Sequence, residues 1–143
     1  MADFMLDTRL QEDSVEVGNL SLCNVRLMND ARYPWLILIP RVADVVEVHD
    51  LAEGAQTLLW REVTDTGRVL TRLYHADKLN VGALGNVVPQ LHVHVIARND
   101  GDSAWPGPVW GQGSARPYSR QALGDELDRL RSNLPVSWMM ARS

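Results

Sequence analysis

Hydrophobic positions along the chain follow two periods in turn, and the switches between them predict the elements. Leu20-Ser21-Leu22-Cys23-Asn24-Val25-Arg26-Leu27-Met28 alternates apolar with polar, apart from slips at 23–24 and 27–28, as a half-buried strand does. Trp35-Leu36-Ile37-Leu38-Ile39 is a continuous apolar run stopped by Pro40, the pattern of a strand buried on both faces. Asn29-Asp30-Ala31-Arg32-Tyr33-Pro34 between them reads as a turn, because Asn and Asp side chains bond their own backbone. The period then becomes helical. Leu51, Ala55, Leu58, Leu59, Thr66, Val69, Leu70 and Leu73 hold one face for about six turns, with Asp50 as the expected cap and Glu53 completing a capping box.

Lys78-Leu79-Asn80-Val81-Gly82-Ala83-Leu84 reads as a further strand with a glycine in it. Gly85-Asn86 turns the chain into Pro89–Arg98, a second strand expected to lie antiparallel to the first. Ser119 to Arg131 predicts a second helix, with Ala122, Leu123, Glu126, Leu127 and Leu130 at helical spacing. At the ends, residues 1–13 read as a short helix or arm, Gly18-Asn19 as a turn, and Val136-Ser137-Trp138-Met139-Met140 as an apolar tail able to dock. The order strand, strand, long helix, strand, strand with tight turns predicts an α+β layer fold, an antiparallel sheet covered by a helix.

A chain of 143 residues fits a single domain spanning 1–143 with one core. Its 45% apolar and 22% charged residues are those of an ordinary globular protein. A net charge of −4 argues against gripping a nucleic-acid polymer, though not against a small phosphorylated ligand that needs only local donors. The longest uncharged apolar run, Tyr33 to Pro40, is far shorter than the roughly 20 residues of a membrane-spanning helix, so no membrane partner is expected. Met1-Ala2-Asp3-Phe4-Met5-Leu6-Asp7 carries early acids and no basic stretch, unlike a signal peptide. With Cys23 as the one cysteine, no internal disulfide can form, and a cytoplasmic setting is expected.

The candidate chemistry lies in Pro89-Gln90-Leu91-His92-Val93-His94-Val95-Ile96-Ala97-Arg98, which holds two of the four histidines. On a strand, Gln90, His92 and His94 share one face at about 6.5–7 Å spacing, with Leu91, Val93 and Val95 on the other. A row of hydrogen-bonding groups on an apolar strand is costly unless it is used. Three uses are open on the residues alone: a nucleophile with its helpers, a metal pair, or two hydrogen-bonded structural histidines. A metal needs at least one more ligand, and the other histidines, His49 and His75, flank the long helix. No cofactor or metal is expected.

The segment resembles the signature of the histidine-triad (HIT) family, His-h-His-h-His-h-h with h apolar, read here as Gln90-Leu91-His92-Val93-His94-Val95-Ile96. Glutamine replaces the first histidine. The resemblance covers roughly residues 20–110, leaving 117–143 as a C-terminal helical extension, and implies a HIT-like sheet meander with one long helix packed on it. It implies that His92 attacks the α-phosphorus of a nucleotide to form a nucleotidyl-histidine, and that His94 donates to a non-bridging phosphate oxygen. Gln90 can donate and accept but cannot relay a proton at neutral pH. The implied substrates are dinucleoside polyphosphates or nucleoside phosphoramidates, and the implied assembly is a homodimer.

Further matches are positional. Asn29, with Asp30 as an alternative, resembles the residue that bonds the ribose hydroxyls. Asn80 resembles a polar contact to phosphate or leaving group. Gly85-Asn86 resembles a turn whose N–H groups face phosphate, and Val87 stands where the family has Ser or Thr. Tyr33-Pro34-Trp35 stands where many members have Pro-Gly-His, which implies that Trp35 lies near Gln90 in a jointly rebuilt site. Arg98, leaving the histidine strand, is the cation expected to reach phosphate. Arg26, Arg32, Arg41 and Arg116 are expected to be solvated. Trp105 and Trp110 are expected to pack, with stacking on a base as the other possibility.

Overall fold

The run Trp35-Leu36-Ile37-Leu38-Ile39-Pro40 can be satisfied only inside a sheet covered on both sides, and that is where it lies. In the computed structural model, which describes residues 3–138, it forms β3 (Trp35–Pro40), with all six residues buried. The other elements are α1 (Thr8–Asp13), β1 (Ser14–Asn19), β2 (Cys23–Met28), α2 (Glu53–Tyr74), β4 (Lys78–Gly82), β5 (Val93–Arg98) and α3 (Arg120–Asn133). The sheet has five strands in the order β1-β2-β3-β5-β4, and every neighbouring pair is antiparallel. After β3 the chain crosses through α2 to the far edge, lays down β4, and returns by β5 into the gap.

The alternation along β3 and β5 sorts the core into two layers. Leu36, Leu38, Val93, Val95 and Ala97 pack under Leu59, Val63 and Leu70 of α2, and Leu130 and Leu134 of the C-terminal segment join the same layer. Trp35, Ile37, Ile39 and Ile96 turn to the opposite face, where Leu10, Tyr33, Val88 and Val109 cover them. His94 pairs across the sheet with Ile37, so it belongs to this second face, away from the long helix.

Four expectations are corrected. Ser14–Asn19 is a strand, and the Gly18-Asn19 turn signal lies inside it at a bulge between Glu16 and Gly18. The chain turns instead at 20–22, so the strand predicted from Leu20 begins at Cys23. Gly18 is required by close approach, because a Cβ there would sit 2.8 Å from the Val136 side chain. Asp50 caps a separate turn, its carboxylate accepting from the Glu47 N–H at 2.9 Å, and α2 begins at Glu53 after Ala52, which has no side chain to cap it. The strand expected from Pro89 starts only at Val93. Pro89 has no N–H to give a ladder, and Leu91 N–H donates to the Val45 carbonyl at 3.0 Å instead of to a strand.

Glu62 was absent from the predicted apolar stripe of α2, yet it is buried; its carboxylate accepts from the N–H groups of Leu22 and Cys23, both at 2.9 Å, and so pins the turn into β2. Ser137 exchanges backbone hydrogen bonds with Asn19, which docks the C-terminal tail on β1, while Met139 and Met140 lie outside the described residues. No helix among the described residues is long and apolar enough to cross a membrane.

Candidate functional site

Leaving the ladder at Val93 frees His92 to be held by something other than strand pairing. Its Nδ1 lies 2.7 Å from the carbonyl oxygen of Gln90. A carbonyl can only accept, so Nδ1 carries the proton and Nε2 of the neutral ring keeps its lone pair. His94 is fixed in the opposite sense. Its Nδ1 lies 2.9 Å from Trp35 Nε1, and an indole N–H can only donate. His94 therefore carries its proton on Nε2. Burial, and then the neighbouring charge of His92, push the His94 pKa down to about 3, so this ring is neutral across ordinary pH. The two imidazoles lie edge to face with centroids 4.9 Å apart, a lone-pair nitrogen beside an N–H donor.

A cleft of two lobes, each about 450 Å³, opens along this face. One lobe is lined by His92, His94, Gly85, Asn86, Val87 and Val88 together with Leu10. The other is lined by Asn29, Asp30, Arg32, Trp35, Val109 and the loop at 111–117. Asp13 and Met28 border both. Gly85 adopts φ 73°, a left-handed conformation that lets the β4–β5 loop fold back over the histidines.

The nucleoside-side candidates are both engaged. Asn29 Oδ1 accepts from the Tyr118 N–H at 2.9 Å. Burial opposes ionisation of Asp30, but donation from the Arg32 guanidinium and from the N–H groups of Arg32 and Arg116 outweighs it and holds the carboxyl below its usual range. The Asp30–Arg32 pair is bridged at 2.8 Å.

Several expectations do not survive the geometry. Arg98 is 2% exposed and is spent inside the fold, with Nε and Nη2 donating to Asp102 at 2.8 and 2.9 Å and Nη1 donating to Asn80 Oδ1 at 2.7 Å. Neither Arg98 nor Asn80 lines the cleft; an arginine flanked by Tyr33 and Trp105 with its own carboxylate is a buried strut. The Gln90 side chain leaves the histidine face, its Oε1 accepting from Asp7 N–H and its Nε2 donating to the Met5 carbonyl, both at 2.8 Å. Trp35 bonds His94, four residues beyond Gln90, in place of the expected meeting with Gln90. Arg26 is buried against Ser14 and Arg32 is half-buried in its pair with Asp30, where both were expected to be solvated. Trp110 packs edge to face on His94 with ring centroids 5.4 Å apart, outside the lining of either lobe, as does Trp105 over Arg98.

Leu10, Asp13 and Met28 escaped the sequence reading. Leu10 sat in a segment read as a short helix or arm, where it was expected only to anchor the chain, and nothing local distinguishes Asp13 from a solvated acid. Among the described residues, no group of three or more His, Cys, Asp or Glu side chains is gathered closely enough to hold a metal ion.

A five-stranded antiparallel sheet presenting a lone-pair imidazole beside a fixed imidazole donor defines a histidine-triad domain. A model of the HIT domain matches residues 9–101, and the chain belongs to that family. It is similar to a histidine triad protein of known structure from Sinorhizobium meliloti 1021, at 49% identity over 92% of this chain and 97% of that one, with a TM-score of 0.89. The corresponding protein of Bradyrhizobium japonicum is 44% identical over 92% of this chain and 98% of that one (TM-score 0.90). One from Marinobacter aquaeolei VT8 is 42% identical over 93% and 97% (TM-score 0.91). No curated protein matches the chain.

Proposed function

We propose that this protein is a nucleotide hydrolase or nucleotidyl transferase that acts at the α-phosphate of a substituted nucleotide through a covalent intermediate on His92. The observation that carries the reading is the 2.7 Å contact between His92 Nδ1 and the Gln90 carbonyl, which aims an unprotonated Nε2 into the cleft. In the first step the Nε2 lone pair forms the N–P bond while the bond from phosphorus to the leaving group breaks. In the second, water attacks phosphorus, the N–P electrons return to His92, and a nucleoside monophosphate departs; an acceptor other than water makes the same step a transfer. His94 Nε2–H steadies the charge that develops on a non-bridging oxygen, from a position fixed before reaction. The Gly85-Asn86 loop offers main-chain donors to the same phosphate. The second lobe, with Asn29 and Asp30 on its wall, is the nucleoside side in this reading.

A second reading, a nucleotide-binding module without turnover, is favoured by one observation: the Gln90 amide is tied to the N-terminal arm and takes no part in the cleft. Intact-protein mass spectrometry separates the two. After mixing with a diadenosine polyphosphate, an adenosine phosphoramidate or the 4-nitrophenyl ester of adenosine 5′-monophosphate and rapid quenching without acid, a nucleotidyl adduct from at least one of them that is absent in His92→Asn supports catalysis. Bound nucleotide without any adduct overturns it in favour of the binding module.

The functional unit is a homodimer paired through the β4 edge in this reading. β4 is an outer strand with an unpaired backbone edge, Val81 on it is 45% exposed, and a groove lined by Val63, Gly67, Leu79 and Val81 runs between it and α2. The buried free thiol of Cys23 suits a reducing compartment such as the cytoplasm.

A further inference from the structure

We infer that this site has no side chain able to protonate a leaving group, and that it therefore takes nucleotides whose leaving group departs as a weakly charged, apolar anion, a carboxylate or an acidic phenolate. The inference rests on His92 acting as the nucleophile. It deepens that reading by naming what lies on the far side of the phosphorus.

The triad strand offers three candidates for a proton donor, and the geometry disarms each. The Gln90 amide is consumed at both ends by Met5 and Asp7. His94 cannot accept a proton at Nδ1 without setting N–H against the Trp35 N–H at 2.9 Å. It could surrender the Nε2 proton only by becoming an anion. It holds a proton and points it, but does not pass it on. The Nδ1 proton of His92 is committed to the Gln90 carbonyl, and its Nε2 becomes the N–P bond. The low affinity of His94 for a second proton agrees with this arrangement.

The bond that breaks must then release its electron pair to an atom that is stable as an anion. His92 Nε2 bonds to phosphorus, the leaving oxygen takes the electrons of its P–O bond, and no proton moves; the proton released in the second step comes from the attacking water and goes to solvent. An amine or a simple alkoxide leaves too slowly by this route. A polyphosphate is a good anion but meets the wrong surface. The lobe beside the histidines is walled by Leu10, Met28, Leu84, Val87 and Val88, and its one charged lining residue is the carboxylate of Asp13. Among the described residues, no lysine or arginine lines it. Several negative charges would be desolvated there beside a like charge, whereas one charge on a hydrocarbon or aromatic body fits.

The test uses full-length protein with aryl esters of adenosine 5′-monophosphate, from 4-nitrophenyl to unsubstituted phenyl, and with diadenosine tetraphosphate. The rate of adduct formation on His92 is read by mass spectrometry. The 4-nitrophenyl ester is expected to react at least about 100-fold faster than the phenyl ester, the low end of what a general acid would otherwise supply. Diadenosine tetraphosphate is expected to be slower than the 4-nitrophenyl ester, by a margin that shrinks in Asp13→Asn. A flat dependence on the leaving phenol overturns the inference, and so does a dependence that steepens in Asp13→Asn, which would make Asp13 the acid. No adduct from any of these nucleotides overturns the parent reading and this one with it. Independently of turnover, histidine ¹⁵N NMR at neutral pH should find His94 Nδ1 unprotonated in the wild type; a protonated Nδ1 refutes the locked donor. Trp35→Phe should free that nitrogen and flatten the leaving-group dependence.

Discussion

Mild acid should destabilise this protein through a single ring. His94 titrates at about 3 in the folded state against 6.5 for the unperturbed side chain, because it is buried and sits beside His92. Between those values the unfolded chain binds a proton that the native state refuses, so stability rises with pH there and is lost as pH falls from 6.5 toward 3. Each pH unit well inside the window is worth about 1.4 kcal/mol, and the loss accumulated by pH 5 is about 2 kcal/mol. That is a large part of the 5–15 kcal/mol typical of a domain. The paired carboxylates cannot mimic this effect. Asp102 is held below its usual value first by its hydrogen bond to Arg98, and Asp30 is also held low, so both lose their stabilisation only as pH falls below the ordinary 3.8 of an aspartate. Urea unfolding at pH 7.5, 6.5, 5.5 and 5.0 measures the slope, with His94→Leu as the non-titrating control. A slope that is the same in both proteins would refute the buried, neutral assignment, and with it the fixed Nε2–H donor.

Three other perturbations probe the remaining parts. Asp102→Ala strands a guanidinium that is 2% exposed and should cost about 3–5 kcal/mol in urea unfolding; a cost under about 1 kcal/mol would mean that Arg98 finds water or another partner. Gln90→Ala removes both bonds to the N-terminal arm and should raise hydrogen exchange at the Asp7 amide by roughly tenfold, equivalent to about 1–1.5 kcal/mol of local stability. Unchanged exchange there would show that the arm is held by other contacts. Val81→Arg places a charge on the exposed β4 edge and should convert a dimer to a monomer in sedimentation; a wild type that is already monomeric removes that interface.

How much of this was legible in the sequence depended on whether the signal was local. The uninterrupted run Trp35–Ile39 and the stripe from Leu58 to Leu73 declared β3 and α2, because burial repeats along each element. β1 was hidden by Gly18, which mimics a turn but is there so that Val136 can approach the backbone. His92 and His94 were found because the alternation set them on one face. Their protonation was not legible, since it depends on a carbonyl two residues back and on an indole 59 positions away in sequence. Arg98 and Asn80 looked like phosphate ligands because their type and place fitted; that Asp102 lies within reach of Arg98 is a property of the loop after β5. Sequence types nominate donors, and only packing decides which are already spent.

Trp35 and Gln90 do not meet, yet each holds one imidazole of the site. Neither side chain relays a proton at neutral pH, and each is anchored by a hydrogen bond whose direction is fixed. Trp35 gives its only proton to His94 Nδ1, which orients that ring and denies it a second proton. Gln90 gives its side chain to the arm while its carbonyl orients His92, so one residue ties down the arm at Met5 and Asp7 and fixes the tautomer of His92. A proton relay must tolerate two states at each station, and a buried station with two states samples two geometries. A site that needs no relay can hold both imidazoles in one. In the proposed reading, this arrangement narrows the range of leaving groups while sharpening the placement of His92. Gln90→His should leave adduct formation on His92 no faster by mass spectrometry, because the side chain at position 90 lies beside Met5 and Asp7 and does not line the lobe of His92 and His94.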